Sequence, residues 1–444
     1  MRLLFVLMGL IWLAAAGAMQ RNDSSSVHTK SQHKTVQLSF RTFLDQLNQI
    51  PDIVVTTSRK SNKHIHMERA NDLAKNLYSL KRRAQADDLH TVVIAIKQRN
   101  METLERILYE VSDPRSEKYG QHMTNKEIEE LTASHESTSY VIDYLQQNDI
   151  TDIKQTPHGD YITATAPIRV FEKMLNCEFH VYGARDHEDF VITRTSNYFL
   201  EEHVVEHVAT IFHTVHFPPT HHLDHYHKRK SLGELHTAAN LAGYVTPKVL
   251  KDLYNIDITL GNSRTSQAVY ESIGQTMSAS DLTYFQHYFN LTVQAVSTVI
   301  GGHSSDRTCK QNPDDCVEAN LDVQYMMAIA PHVPTTYYYW GGEDFMVDWL
   351  MQVAAMHNPP KVISISYGMD EQYLTTSYAS SFNTQAIKVG VQGVTLIASS
   401  GDDGAPGSGA RSNSFMCGYH PSFPASSPYV TAIGGTMVST LLQE

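Results

Sequence analysis

The chain has 444 residues, 41% of them hydrophobic, and a formal net charge of -12 at pH 7. That length allows two or three domains with a large core, and the composition excludes both a polytopic membrane protein and a wholly disordered one. The acidic balance gives no basis for broad attraction to nucleic acid or anionic lipid, while 24 histidines make the net charge change sign if all are protonated.

In chain order, Arg2 precedes the apolar run LLFVLMGLIWLAAAGA, which ends in Ala16-Gly17-Ala18. This basic, apolar, small-residue order predicts a secretory signal peptide over 1–18. The run is shorter than the roughly 20 apolar residues of a membrane span, and no later stretch is long and apolar enough, so no membrane span is expected. Asn22 and Asn290 open N-x-S/T triplets and are candidate glycan acceptors. Cys309 and Cys316 flank the polar loop CKQNPDDC, which predicts a local disulfide in an oxidising compartment. Cys177 and Cys417 have no obvious partners, and the absence of a C-x2-C pair argues against zinc.

Residues 19–88 are polar, with few apolar groups, and predict a weakly packed leader. From Leu89 the pattern sharpens: HTVVIAIK reads as a strand, METLERILYEV as an amphipathic helix, and Thr124 with Glu127 as a capping box. The helix TSYVIDYLQQN, strand-like DYITATAP, helical RVFEKML and strand-like CEFHVY complete a compact α+β domain over 89–217. The main shift in composition spans about Glu202 to His236, where His203, His207, His213 and His216 precede a further run of histidines and Lys228-Arg229-Lys230. This predicts an exposed linker, centred on 218–243, which serves either as a pH-sensitive hinge or simply as solvated chain. Its histidine spacings fit no closed metal motif. Over 244–444 strands and helices alternate, beginning with VTPKVLKDLYNI and SQAVYESI and continuing through KVISISYG to VTLIASSG. The alternation predicts an α/β unit, a parallel sheet with helices on both faces, and places chemistry in the turns at the C-terminal ends of its strands.

Glu318 and Asp322, four apart in VEANLDVQYMM, project from one helix face. Such pairs mostly lie in solvent, but two close carboxyls can share a proton; Glu318 would then take a hydroxyl proton while Asp322 orients it. In ASSGDDG the glycines permit a tight turn from which Asp402 or Asp403 points. A carboxyl there could bind a metal or, when protonated, donate a hydrogen bond to a developing oxyanion. The paired base and the oxyanion donor both favour acid.

Five segments in order carry a resemblance: SDPRSEKYGQHMT, EANLDVQYMM, ISISYG, ASSGDDGAPG and FPASSPYVTAIGGT. Together they make the chain similar to the sedolisin family of serine-carboxyl peptidases, secreted proenzymes with a subtilisin-like catalytic domain. The resemblance implies an activation propeptide over 89–217 that inhibits intramolecularly, and a partial catalytic domain over 244–444. It further implies Glu318 as general base, Asp322 as its partner, Asp402 as oxyanion-hole acid, and Ser366, Tyr367 and Gly368 along an extended peptide substrate. Lysosomal or extracellular delivery is expected. The family's nucleophile belongs to a G-T-S-A type segment well after Gly434-Gly435-Thr436, and this sequence runs eight residues past Thr436. The 444-residue chain alone is therefore expected to be inactive. The family's calcium ligands are likewise expected beyond Glu444, with none in this chain. The alternative is a secreted, non-catalytic peptide-binding relative.

Overall fold

The computed structural model describes residues 63–185, 190–218, 244–256, 261–342, 345–412, 415 and 417–436. The predicted signal peptide, Asn22 and nearly all of the linker 218–243 lie outside them. The described residues belong to one compact unit.

Strand Leu89–Ile96 is apolar at nearly every position because both of its faces are covered. It sits inside a four-stranded antiparallel sheet, between Tyr161–Pro167 and Val208–Phe212, with Asp152–Gln155 at the edge. Val92, Ile94 and Ile96 point into a core shared with Leu145, Ile162 and Phe171. The alternate residues Val93 and Ala95 join Tyr161 and Phe212 on the opposite face, against Trp349 and Phe382 of the C-terminal part. Helices Met101–Ser112, Asn125–Thr132, His135–Gln147 and Ile168–Leu175 complete this α+β half. The Thr124 hydroxyl accepts from Glu127 N at 3.3 Å, and the Glu127 carboxylate accepts from Thr124 N at 2.7 Å, closing the capping box.

Two boundaries differ from those expected. Residues 63–88 are not leader: strand His64–Arg69 pairs with Asn197–Glu201, strand Tyr78–Arg83 pairs with His180–Ala184, and Ala70, Ala74, Tyr78 and Ala84 enter the core. Their outward faces carry the Lys and Arg that made the segment read as polar. Nor do the first histidines of the rich segment belong to a linker. The strand Val208–Phe212 lies among them, and His216 is buried.

In the C-terminal half a six-stranded sheet has the order Thr298–Ile300, Thr335–Tyr339, Gln267–Glu271, Val362–Ile365, Thr395–Ser399, Thr431–Ile433. Every neighbouring pair is parallel. Val269 and Tyr337 meet Ala319, Val323 and Met327 of helix Val317–Ile329 on one face. Ala268, Tyr270, Ile363 and Ile365 meet helices Phe345–Ala355 and Thr376–Val391 on the other. The sheet is thus flanked by helices on both sides, as the alternation predicts. The segment 293–301 is strand only at Thr298–Ile300. Chain order reverses around the Gln267–Glu271 strand, and at such reversals a crevice opens beyond the strands' C-terminal ends. Among the described residues no helix is long and apolar enough to cross a membrane.

Candidate active site

The helix Val317–Ile329 begins where two restraints converge. Cys309 and Cys316 are bonded, with Cα atoms 5.5 Å apart, immediately before it. Gln275 accepts from Glu318 N at 3.0 Å and donates from its amide to Asp314 O at 3.1 Å. With Ala319, Val323 and Met327 committed to the sheet, Glu318 and Asp322 are carried together to the rim formed by the strand ends. Glu318 is 8% exposed.

Ser366 follows strand Val362–Ile365, and its hydroxyl donates to Asp322 Oδ2 at 2.6 Å. It also favours the ionised form of Glu318. A third carboxyl completes the cluster. Glu271 ends the central strand with no exposure at all, accepts from Tyr367 OH at 2.8 Å, and feels the charge of Asp322. Burial and the charge of Asp322 push Glu271 well above the usual carboxylate range, against the pull of the Tyr367 hydroxyl. Glu318 is pushed up to about 8 by burial, by Asp322 and, more weakly, by Asp402, while Ser366 opposes the rise. Asp322 is also raised by burial, against the hydrogen bond it accepts from Ser366. Three adjacent buried carboxyls cannot all ionise.

The strand Thr395–Ser399 leads to Ser400, whose N–H bonds Ile433 O at 3.0 Å, and to Gly401 at φ 85°, a conformation that favours glycine. Asp402 follows, exposed, with its charge reaching Glu318. The far side of this turn is pinned by Asp370, which accepts from Ser408 N at 3.1 Å and Ser408 Oγ at 2.8 Å. Gly368 passes so close to strand Ser422–Phe423 that a Cβ would lie 2.8 Å from Phe423 O. A cavity of 450 Å³ adjoins the turn, lined by Ser400, Gly404, Ala405, Tyr419, His420 and Ser422 among others.

Glu318, Asp322, Ser366 and Tyr367 thus meet in one cluster with Asp402 beside it, and Gly368 continues the Ser366–Tyr367 segment. Asn290 is exposed just past helix Ala279–Tyr288. Sequence reasoning missed Glu271, Gln275 and the part played by the Ser366 side chain. Glu271 had a legible signal, an acid closing the apolar strand SQAVYE. Among the described residues no group of three or more His, Cys, Asp or Glu is placed to hold a metal ion, so the three carboxyls present do not form a calcium cage.

Residues 78–217 match the family of the pro-kumamolisin activation domain. Tripeptidyl-peptidase 1 of Homo sapiens is 32% identical over 367 residues, covering 80% of this chain and 62% of that protein. The Mus musculus protein of that name is 32% identical over 366 residues, with the same coverage. The chain thus spans 62% of the length of these curated relatives. A solved structure, Pseudomonas sedolisin complexed with two molecules of pseudo-iodotyrostatin, is similar at 21% identity and a TM-score of 0.35, covering 44% of this chain and 54% of that chain. A superposition that loose bears no argument about the site.

Proposed function

Because the chain belongs to the sedolisin family, we propose that it forms the propeptide and the acid–base part of an acid-acting serine-carboxyl peptidase proenzyme. The observation that carries this reading is the cluster of Glu318, Asp322 and Glu271, with Ser366 donating to Asp322 and Asp402 beside it, at the rim of a parallel sheet. The nucleophile that this mechanism calls for is a serine hydroxyl set beside Glu318. Glu318 takes its proton as it attacks the peptide carbonyl, and later gives that proton to the leaving amine. Asp322 and Glu271 hold the remaining proton and charge of the cluster. Asp402, protonated, donates a hydrogen bond to the oxyanion; a carboxyl bears that proton only in acid, which suits an acidic compartment of the secretory pathway, lysosomal or extracellular. The Ser366–Gly368 segment offers backbone groups to an extended peptide. The N-terminal half acts as an intramolecular inhibitor until it undocks. Calcium is assigned no role among these residues.

Similarity to tripeptidyl-peptidase 1 favours release of tripeptides from free amino ends. The test is to incubate the complete protein at about pH 4 with a peptide in free and in N-acetylated form, and to follow the products by mass spectrometry. Tripeptides from the free form alone are expected. Internal cleavage of the acetylated form would replace the exopeptidase reading by an endopeptidase one. Peptide binding with no cleavage anywhere in the acid range would instead identify a non-catalytic peptide-binding relative.

A further inference from the structure

We propose that Asp370 is a positioning residue for Asp402, and that the N-terminal half steadies it by gripping the adjacent turn through Asn71. The inference rests on the reading of Asp402 as the oxyanion donor, and adds what holds that donor in place.

Asp402 is exposed on its turn, and such a carboxyl meets a developing oxyanion only where its backbone is fixed. One end of the turn is secured by strand Thr395–Ser399 and by the bond from Ser400 N to Ile433 O. The other end depends on Asp370. Its Oδ2 accepts from Ser408 N at 3.1 Å and from Ser408 Oγ at 2.8 Å, and Gln372 Nε2 donates to the same oxygen at 3.4 Å. Asp370 is buried, so water competes little for these bonds. Gly407 makes the approach possible: at φ 72° it has no side chain, and a Cβ there would lie 2.9 Å from Asp370 Oδ2. The backbone of Asp370 is itself anchored. It pairs with Ser422 between strands Met369–Asp370 and Ser422–Phe423, and Glu371 N donates to Pro421 O at 2.8 Å.

The 3₁₀ turn Glu371–Tyr373 follows Asp370 directly, and the N-terminal half holds this stretch in three ways. Asn71 donates from its amide to Gln372 O at 2.8 Å and to Leu374 O at 3.0 Å. Tyr373 packs against the core of the N-terminal half. Shortly beyond, the Ser377 hydroxyl donates to Glu68. The Asn71 side-chain oxygen meanwhile caps helix Asp72–Lys75, accepting from Leu73 N at 2.9 Å and Ala74 N at 3.3 Å. One side chain thus ties that helix to the turn beside Asp370, and Asp370 ties the turn to the Asp402 loop.

Amide exchange on this chain, followed by mass spectrometry over 401–408, tests both links without turnover. Asp370→Ala removes the acceptor of Ser408 and should speed exchange there about tenfold, and Asp370→Asn, which keeps one acceptor oxygen, should give an intermediate rate. Asn71→Asp keeps the capping oxygen but loses the amide donors. It should quicken exchange over 401–408 by about threefold and leave 72–76 unchanged. Exchange over 401–408 equal to that of the unaltered chain, in folded Asp370→Ala or in Asn71→Asp, would overturn the proposal. If Asp370→Ala does not fold, Asp370→Asn decides by the same criterion. In the complete protein the role is read from inhibitor affinity. A peptide aldehyde forms an adduct whose oxygen sits where the oxyanion develops, so its binding should weaken about tenfold in Asp370→Ala, while the matching peptide alcohol binds as before. Equal weakening of both would overturn the link to Asp402. A complete protein that cleaves no peptide would count against the enzyme reading, and exchange on this chain would still decide whether Asn71 and Asp370 hold the turn.

Discussion

Glu271 is buried beside the charge of Asp322, and this has a consequence for stability. Its carboxyl is raised in the folded chain. It therefore folds without cost below its ordinary value of about 4.5 and destabilises the fold increasingly as pH rises above it, since the unfolded chain ionises and the folded one resists. Glu271→Gln keeps an acceptor for Tyr367. It should raise the thermal midpoint by about 3 °C or more at neutral pH and leave it unchanged near pH 4. An equal gain at both pH values would show that Glu271 is ionised in the fold. At this scale the sequence exposed part of the site. A spacing of four brings Glu318 and Asp322 onto one face, and glycine punctuation marks the Asp402 turn. It could not expose the Glu271–Asp322 contact, because residues 51 positions apart meet only when the central strand and the helix after it are packed.

Between elements, the N-terminal half is fastened by polar contacts buried among apolar ones. Lys388 Nζ lies 2.6 Å from Asp160 Oδ2, with side chains 1% and 4% exposed. Burial works against the charge on Asp160, but Lys388, Thr156 and His158 outweigh it and hold the carboxyl low. Removing one partner of such a pair leaves a buried charge, at a cost of about 3–5 kcal/mol. Asp160→Ala should therefore speed amide exchange in helix Thr376–Val391, and Asp160→Leu with Lys388→Met should reverse much of the loss. Unchanged exchange in the single variant would remove the pair from the docking account. Glu68 is treated similarly: burial raises it, yet His216, Ser377 and Thr210 together lower it to about 2. Contributions of this kind are complete above the ordinary carboxyl value and fade as pH falls through the folded one. His122 acts at higher pH. Its ring packs where a Cβ on Gly393 would come within 2.6 Å, and burial with the charge of Lys361 lowers its affinity for a proton. Docking should loosen first as His122 protonates below about 6.5, then further below about 4.5 as Glu68 begins to fail and below about 3.8 as Asp160 follows. His122→Ala should abolish the upper window only, as read by amide exchange against pH; two windows remaining in that variant would clear His122. None of these pairs was visible in the sequence, where a histidine-rich stretch read as linker although His216 and its strand are part of the interface.

Across the whole molecule, the apolar run Val92–Ile96 and the strand–helix alternation after 244 made both halves legible, because hydrophobic period follows directly from which faces are covered. The first strands were hidden for the same reason: Tyr78–Arg83 buries one residue and turns its charges outward. The shared core of Val93, Ala95 and Phe212 with Trp349 and Phe382 joins the two halves, so the proposed undocking of the N-terminal half would expose apolar surface. That is a demanding step, suited to a trigger that removes several charges at once. The account as a whole stands on Glu318 acting as a base in acid. The direct measurement is kcat against pH for the complete, acid-matured protein and its Glu318→Gln form. A rate maximum in the acid range, lost by on the order of a hundredfold or more in Glu318→Gln, is predicted; an optimum near pH 8, or a Glu318→Gln rate equal to that of the unaltered protein, would contradict it.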